Sequence, residues 1–243
     1  MKKLFHEKND DSKKKPSAEE KAFANKETIV GQLEHLSNIG QESFALYLLR
    51  RDPIQGKISP EDTEEIIRES IKCGHDEALK LLNEFEGLSA LEIAKELNLD
   101  VKFKGEPGTL EFVYFGLYEE PNQISIYENN ISKARDLIEK LGIDAFKEVS
   151  FEDIVLAHEI FHHFEVHDET LYPNTKRINL WSIGNLYTHT SPLVCTGEIA
   201  GMSFAKTLLK LEFDPTLLDY IFLLAHDFEQ ADKLYQKIVH DIN

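Results

Sequence analysis

An α+β fold is what this 243-residue sequence predicts: a short, mostly antiparallel sheet packed on one apolar helix, preceded by an all-helical module. Three observations predict it. Between 22 and 88 the apolar residues recur every three or four positions, which is the helical period. From 100 to 128 the text changes to short runs rich in β-branched and aromatic residues, VKFK, LEFVYFGLY and QISIYE, separated by GEPG and EEPN, which are turn chemistry. Beyond 128 the helical period returns, and one of its helices holds AHEIFHHFE at 157 to 165.

The chain opens with MKKLFHEKNDDSKKKPSAEEK, a charged stretch carrying Lys2, Lys3, Lys8, Lys13, Lys14 and Lys15. It has no apolar core of the kind a secretory signal needs, so residues 1 to 21 read as a disordered, solvated tail on a cytoplasmic protein. No apolar run approaches the 18 or so residues of a membrane span, so no membrane partner is expected. The formal charge of -17 repels phosphates, so no nucleic acid partner is expected either. Cys73 and Cys195 lie far apart and form no CxxC pair, which predicts buried free thiols rather than a disulfide framework.

In the helical module, Leu33, Leu36, Phe44 and Leu48 share the helical period with a break near Gly40. SPED at 59 to 62 is a capping box with proline at the first helical position, so a helix is expected from Pro60 to about Cys73, and HDEALKLLNEFEG reads as another ending at Gly87. SALEIAKELNLD places Ile93, Ala94 and Leu97 on one face, but a strand follows it rather than a recognition helix, which removes a helix-turn-helix reading. The three β runs that follow read as an antiparallel meander. Helices are then expected from Asn130 to Gly142 and from Ser150 to about His167. The stretch from Asp168 to Thr196 shows little periodicity and reads as a long loop. DPTLLDYIFLLAHDFEQADKLYQKIV reads as one long C-terminal helix, with Asp214 as N-cap and Pro215 at N1.

The helix at 150 to 167 carries the chemistry. Ser150 with Asp153 three residues on is a capping start that sets the register. Ile154, Ala157, Ile160, Phe161 and Phe164 then form one apolar stripe, and His158 and His162 lie together beside it. Two imidazoles one turn apart can both reach one Zn²⁺ at roughly 2.0–2.1 Å, which is the physical content of HExxH. Glu159 projects about 100° from His158, where it can hydrogen-bond a water rather than join the same coordination sphere. His163 falls on another face and reads as structural or solvent-facing.

The third ligand decides the class of site. A metzincin would place glycine at 165 and histidine at 168, where this chain has Glu165 and Asp168, so His167 and Asp168 are minor candidates. Glu198, in CTGEIAGMSFAKTLLKL, is the better one. Thr196 can cap a helix there, Glu198 then falls in the first turn, and Gly201, Met202 and Ala205 share its face, so two helices can approach closely. A carboxylate from that second helix would complete His₂Glu and leave a fourth position for water.

HEIFH followed by Glu198, Gly201, Phe204, Ala205, Leu208 and Leu209 resembles the ImmA/IrrE family of zinc metallopeptidases. EIAKELNLDV, the β run ending in QISIYEN, and then the histidine helix are similar in order as well, so the resemblance covers roughly residues 88 to 212. It implies a zincin-like domain over 89 to 243 behind the helical module at 22 to 88. It also implies His158, His162 and Glu198 as zinc ligands, Glu159 as the catalytic carboxylate, and a protein or peptide substrate. Gly201 and Met202 stand where the family usually has Ala-Asn, the proline after the leucine pair is missing, and a helix is inserted before the zinc helix. By the same analogy the edge of QISIYE would hold an extended substrate. Tyr187 and His189, in NLYTHTSP, are the candidate donors for an oxyanion. The expected function is a zinc-dependent endopeptidase, and the alternative is a catalytically silent zinc protein that binds or regulates. The sequence says nothing of the oligomeric state.

Overall fold

A computed structural model describes residues 16–105, 115–184 and 187–243, without the side chains of Ile183 and Tyr187. Most of the expected charged tail therefore lies outside the described residues. The boundary drawn at residue 21 moves, because Ser17 caps a helix: its hydroxyl accepts from Glu20 N, the Glu20 carboxylate accepts from Ser17 N, and α1 runs Ala18–Ala24.

Helices α2 (Lys26–Ser37) and α3 (Gln41–Leu49) follow, separated at Gly40 as expected. Next comes α4 (Pro60–Glu84), one unbroken helix of 25 residues where the sequence suggested two. Gly74 does not end it, because its hydrogens face a neighbouring helix: a Cβ there would lie 1.9 Å from the Ala200 carbonyl oxygen. The glycine is needed for approach, not for a turn. α5 (Ala90–Glu96) starts at a second full capping box, Ser89 with Glu92.

Three strands come next, β1 (Asp100–Lys104), β2 (Gly116–Glu119) and β3 (Gln123–Tyr127). They are not a meander. The order is β1-β3-β2, with β1 parallel to β3 and β2 antiparallel to it. The physical reason lies in burial: Ile124, Ser125, Ile126 and Tyr127 are buried in succession, so both faces of β3 are covered and the most apolar strand takes the centre. β1 leaves Phe103 exposed and sits at an edge. QISIYE is therefore not an edge, and among the described residues β2 is one.

α6 (Glu128–Lys140) ends near Gly142, which takes φ 66°, and α7 (Phe151–His167) is capped by Ser150, whose hydroxyl accepts from Asp153 N. The expected loop from 168 to 196 instead contains a short α8 (Tyr172–Thr175) and an antiparallel pair, β4 (Arg177–Ile183) with β5 (Tyr187–Pro192). Lys176 ties this segment to α4 through Asp62 and Glu65, each at 3.1 Å. Its strands alternate weakly because one face rests on a small apolar cluster that includes Ile66, Ile178, Leu193 and Ile199, while Trp181 on the other is half exposed.

α9 (Val194–Leu208) begins two residues before the expected Thr196 cap. Thr196 turns its hydroxyl back to the Leu193 carbonyl, and the second helical N–H, that of Cys195, is met by the Asp52 carboxylate at 3.0 Å. A residue 143 positions away thus caps α9, and Glu198 falls in its second turn. The long C-terminal helix is two helices, α10 (Leu217–Leu224) and α11 (Phe228–Ile242), because Asp227 accepts from Glu229 N and Gln230 N and starts a new one. Asp214 holds a turn by accepting from Thr216 N rather than capping the helix.

The described residues make eleven α-helices and two small sheets, an α+β fold. Residues of the N-terminal helices (Ile29, Leu36, Phe44) and of α7, α9 and α10 (Phe161, Phe204, Tyr220) belong to one buried cluster, so residues 88 and 89 do not separate two cores. No helix among the described residues is long and apolar enough to cross a membrane. Cys73 and Cys195 are both free thiols, half-buried and buried respectively.

Candidate metal centre

Three helices build the site, and glycines let them touch. α4 lies against α9 at Gly74, where Ser203 also donates to the Ile71 carbonyl at 2.7 Å. α9 in turn lies against α7 at two glycines one turn apart. A Cβ at Gly201 would sit 2.8 Å from His158 Nδ1, and one at Gly197 would sit 2.2 Å from Glu165 Oε1. A side chain at Gly201 would press on the His158 ring, and one at Gly197 would displace the Glu165 carboxylate from its place beside His162.

With α9 held this close, Glu198 meets the histidine pair. His158 Nε2 and His162 Nε2 are 3.0 Å apart, Glu198 Oε2 is 3.5 Å from the first, and its Oε1 is 4.0 Å from the second. Among the described residues, these are the one group of three or more His, Cys, Asp and Glu side chains placed to share a metal ion. Four tetrahedral ligands at roughly 2.0–2.1 Å from zinc stand about 3.3 Å from one another. The donor set fits that geometry with only a small movement of the Glu198 carboxylate.

The electrostatics also call for positive charge between these groups. Burial works against charge on His158, but the hydrogen bond and charge of Glu198 win and raise its pKa, with Glu159 adding in the same direction. The Glu198 carboxyl is pushed up by burial and pulled down further by His158 and His162, so its net shift is downward. A proton on His158 and a divalent cation satisfy the same field.

The two histidines differ in their outer partners. His162 Nδ1 donates to Glu165 Oε2 at 2.8 Å, which fixes the tautomer that leaves Nε2 as a lone pair. His158 Nδ1 is buried with no hydrogen-bond partner among the described residues, and faces Gly201, which has no side chain to meet it. Sequence reasoning used Glu165 only to reject a metzincin. Its spacing of three from His162 on one helix was the available signal for its partnership.

Glu159 is 8% exposed and lies beneath β2: a Cβ at Gly116 would come within 2.6 Å of its Oε1. The minor ligand candidates do not join this group. His167 Nδ1 is bonded to the His163 carbonyl, and Asp168 accepts from the Thr170 N–H and hydroxyl. His163 is not merely solvent-facing, since its Nδ1 is 3.2 Å from the Tyr118 hydroxyl. His189 is exposed on β5, opposite Trp181 in register and stacked on it at 5.4 Å, and does not join the metal group. Tyr187 opens β5, and its side chain lies outside the described residues.

Beside Glu198 opens a cleft of about 290 Å³ lined by Leu48, Arg51, Val194, Met202 and Asp219, among others. The N-terminal helices thus contribute to the wall of the site. Burial pushes the Asp219 carboxyl up to about 6, with Arg51 opposing and Glu198 reinforcing that shift. Arg51 Nη1 is 4.0 Å from Asp219 and 2.7 Å from the Tyr47 hydroxyl. Neither Arg51 nor Asp219 carries a local motif that would have drawn attention in the sequence.

The chain matches no protein-family model, no curated protein and no solved structure.

Proposed function

We propose that the chain is a zinc-dependent endopeptidase with a zincin-like arrangement of its helices, acting on a peptide bond in a protein substrate. One observation carries this reading: two imidazoles and a carboxylate from two different helices converge, with an unused carboxylate, Glu159, next to the first imidazole. The resemblance to ImmA/IrrE metallopeptidases supports it at His158, Glu159, His162 and Glu198. A purely structural zinc site needs no such base and usually closes its fourth position.

Zinc bound by His158, His162 and Glu198 would supply a Lewis acid and lower the pKa of water from about 15.7 towards 7. Glu159 then takes a proton from the attacking water and returns it to the departing amine, the ordinary work of a carboxylate within hydrogen-bonding reach. Glu165 holds the His162 ring so that Nε2 faces the site. Gly116 lets β2 pass directly over Glu159, so an extended peptide added to the open edge of β2 would run its backbone past the base. This moves the substrate edge from QISIYE to the neighbouring strand. Tyr187 and His189 of β5 are the oxyanion donors in this reading. Tyr187→Phe and His189→Ala test them, with a fall in kcat at constant KM expected for a donor.

Metal content of protein purified without chelator is the first test, and about one equivalent of zinc is expected. Fragment profiling of proteins exposed to wild type and to Glu159→Gln is the second. Cleavage sites lost only in the variant support the reading, while equal cleavage by both, or no zinc taken up on titration, ends it.

A further inference from the structure

α7 carries a second pair of histidines four residues apart, His163 and His167, on the face away from α9. Their ring centroids are 4.4 Å apart, close to the 4.6 Å of His158 and His162. The tautomers of both can be worked out from their neighbours. Tyr118 spends its one hydroxyl proton on the Pro121 carbonyl at 2.6 Å, so the phenolic oxygen can only accept from His163, and Nδ1 of His163 carries the hydrogen. His167 Nδ1 lies 2.8 Å from the His163 carbonyl oxygen, which also only accepts, so His167 carries its hydrogen on Nδ1 too. Both rings are therefore held through Nδ1–H and leave Nε2 as a bare lone pair. A neutral imidazole braced this way by a carbonyl or hydroxyl oxygen is the usual state of a metal-binding histidine.

We propose that His163 and His167 form a second metal site, a two-histidine chelate for a first-row divalent cation such as Zn²⁺, Ni²⁺ or Cu²⁺. Imidazole suits these ions, and the i, i+4 spacing lets two rings on one helical face share one of them. With only two protein donors and His167 exposed, water completes the coordination, and the site binds more weakly than the one with Glu198. Its outer partner Tyr118 belongs to β2, so an ion here stiffens the contact between the last turns of α7 and the open strand edge.

The test is a zinc titration of tag-free, metal-stripped full-length protein, followed by calorimetry and by histidine ring nitrogen shifts. Wild type is expected to bind two equivalents, the second more weakly, with the Nε2 signals of His163 and His167 moving in the second step. His163→Gln or His167→Gln weakens that step roughly tenfold or more and leaves the first unchanged. Should His163→Gln fail to fold, the exposed His167→Gln decides alone. Saturation of wild type at one equivalent, or a second step unchanged in the double variant, overturns the proposal. A missing first step together with a second that depends on these two residues would remove the peptidase reading and leave this site standing.

Discussion

The two histidine pairs of α7 share a spacing and differ in what is packed against them. His158 and His162 face α9, where Gly197 and Gly201 bring a helix close enough for Glu198 to join them. His163 and His167 face β2 and solvent, where Tyr118 and a backbone carbonyl brace the rings and, among the described residues, no carboxylate completes the set. The motif supplies two donors in either case. A third donor, and with it tight binding, comes from whichever element can approach, and approach is decided by residues with no metal chemistry.

That contrast can be broken most severely at Gly74, which lies on α4 against Ala200 of α9. Gly74→Ala would force α4 and α9 apart, since the added carbon meets a backbone oxygen that cannot rotate away. We expect a loss of about 3 kcal/mol in denaturant unfolding, with the α9-facing site disturbed and the β2-facing pair intact. A midpoint equal to wild type would show that the helices are not held at this distance.

Removing the third donor comes next. With Glu198 as the proposed third ligand, Glu198→Ala should weaken zinc at the first pair by more than the roughly 100-fold typical of losing an outer partner. Competition with a chelator of known affinity measures it, and an unchanged constant would mean that the approach of α9 is irrelevant to binding.

A smaller effect is expected at Glu165. Glu165→Ala frees the His162 ring and should cost roughly 10- to 100-fold in zinc affinity, while far-UV circular dichroism stays as in wild type. The cobalt-substituted protein should show a changed ligand-field spectrum. If affinity and spectrum are both unaltered, the 2.8 Å contact does not orient the ligand.

The smallest expected change is a control with the opposite sign. Gly31 lies within α2, is exposed, and has nothing within 4 Å of where a Cβ would stand. Gly31→Ala should therefore stabilise the protein by about 0.4–1 kcal/mol, through helix propensity and a less free unfolded chain. Destabilisation in thermal unfolding would blur the distinction between glycines kept for contact and glycines that are incidental.

Much of the site can be read from local pattern. Ser59 and Ser150 begin α4 and α7 at the expected residues, since a cap and the helix it starts lie within four residues of each other. His158, His162 and Glu198 lie together as the spacing and the small residues of α9 suggested. What could not be read is of a different kind. Gly74 resembles a helix stop until Ala200 is beside it, and the β4–β5 pair resembles a loop because only part of one face meets the core. Asp52 caps α9 from a distance that no local window spans.

The sequence by itself determined where α4 and α7 begin, which side chains have the chemistry of cation ligands, and that one face of α7 is apolar, because each of these follows from interactions within a few residues along the chain. Only the tertiary structure decided that β3 lies between its neighbours, that α4 runs through its glycine, and that β2 rather than QISIYE offers an edge. Those outcomes depend on which surfaces exclude water together, and that is a property of segments brought side by side from far apart in the chain.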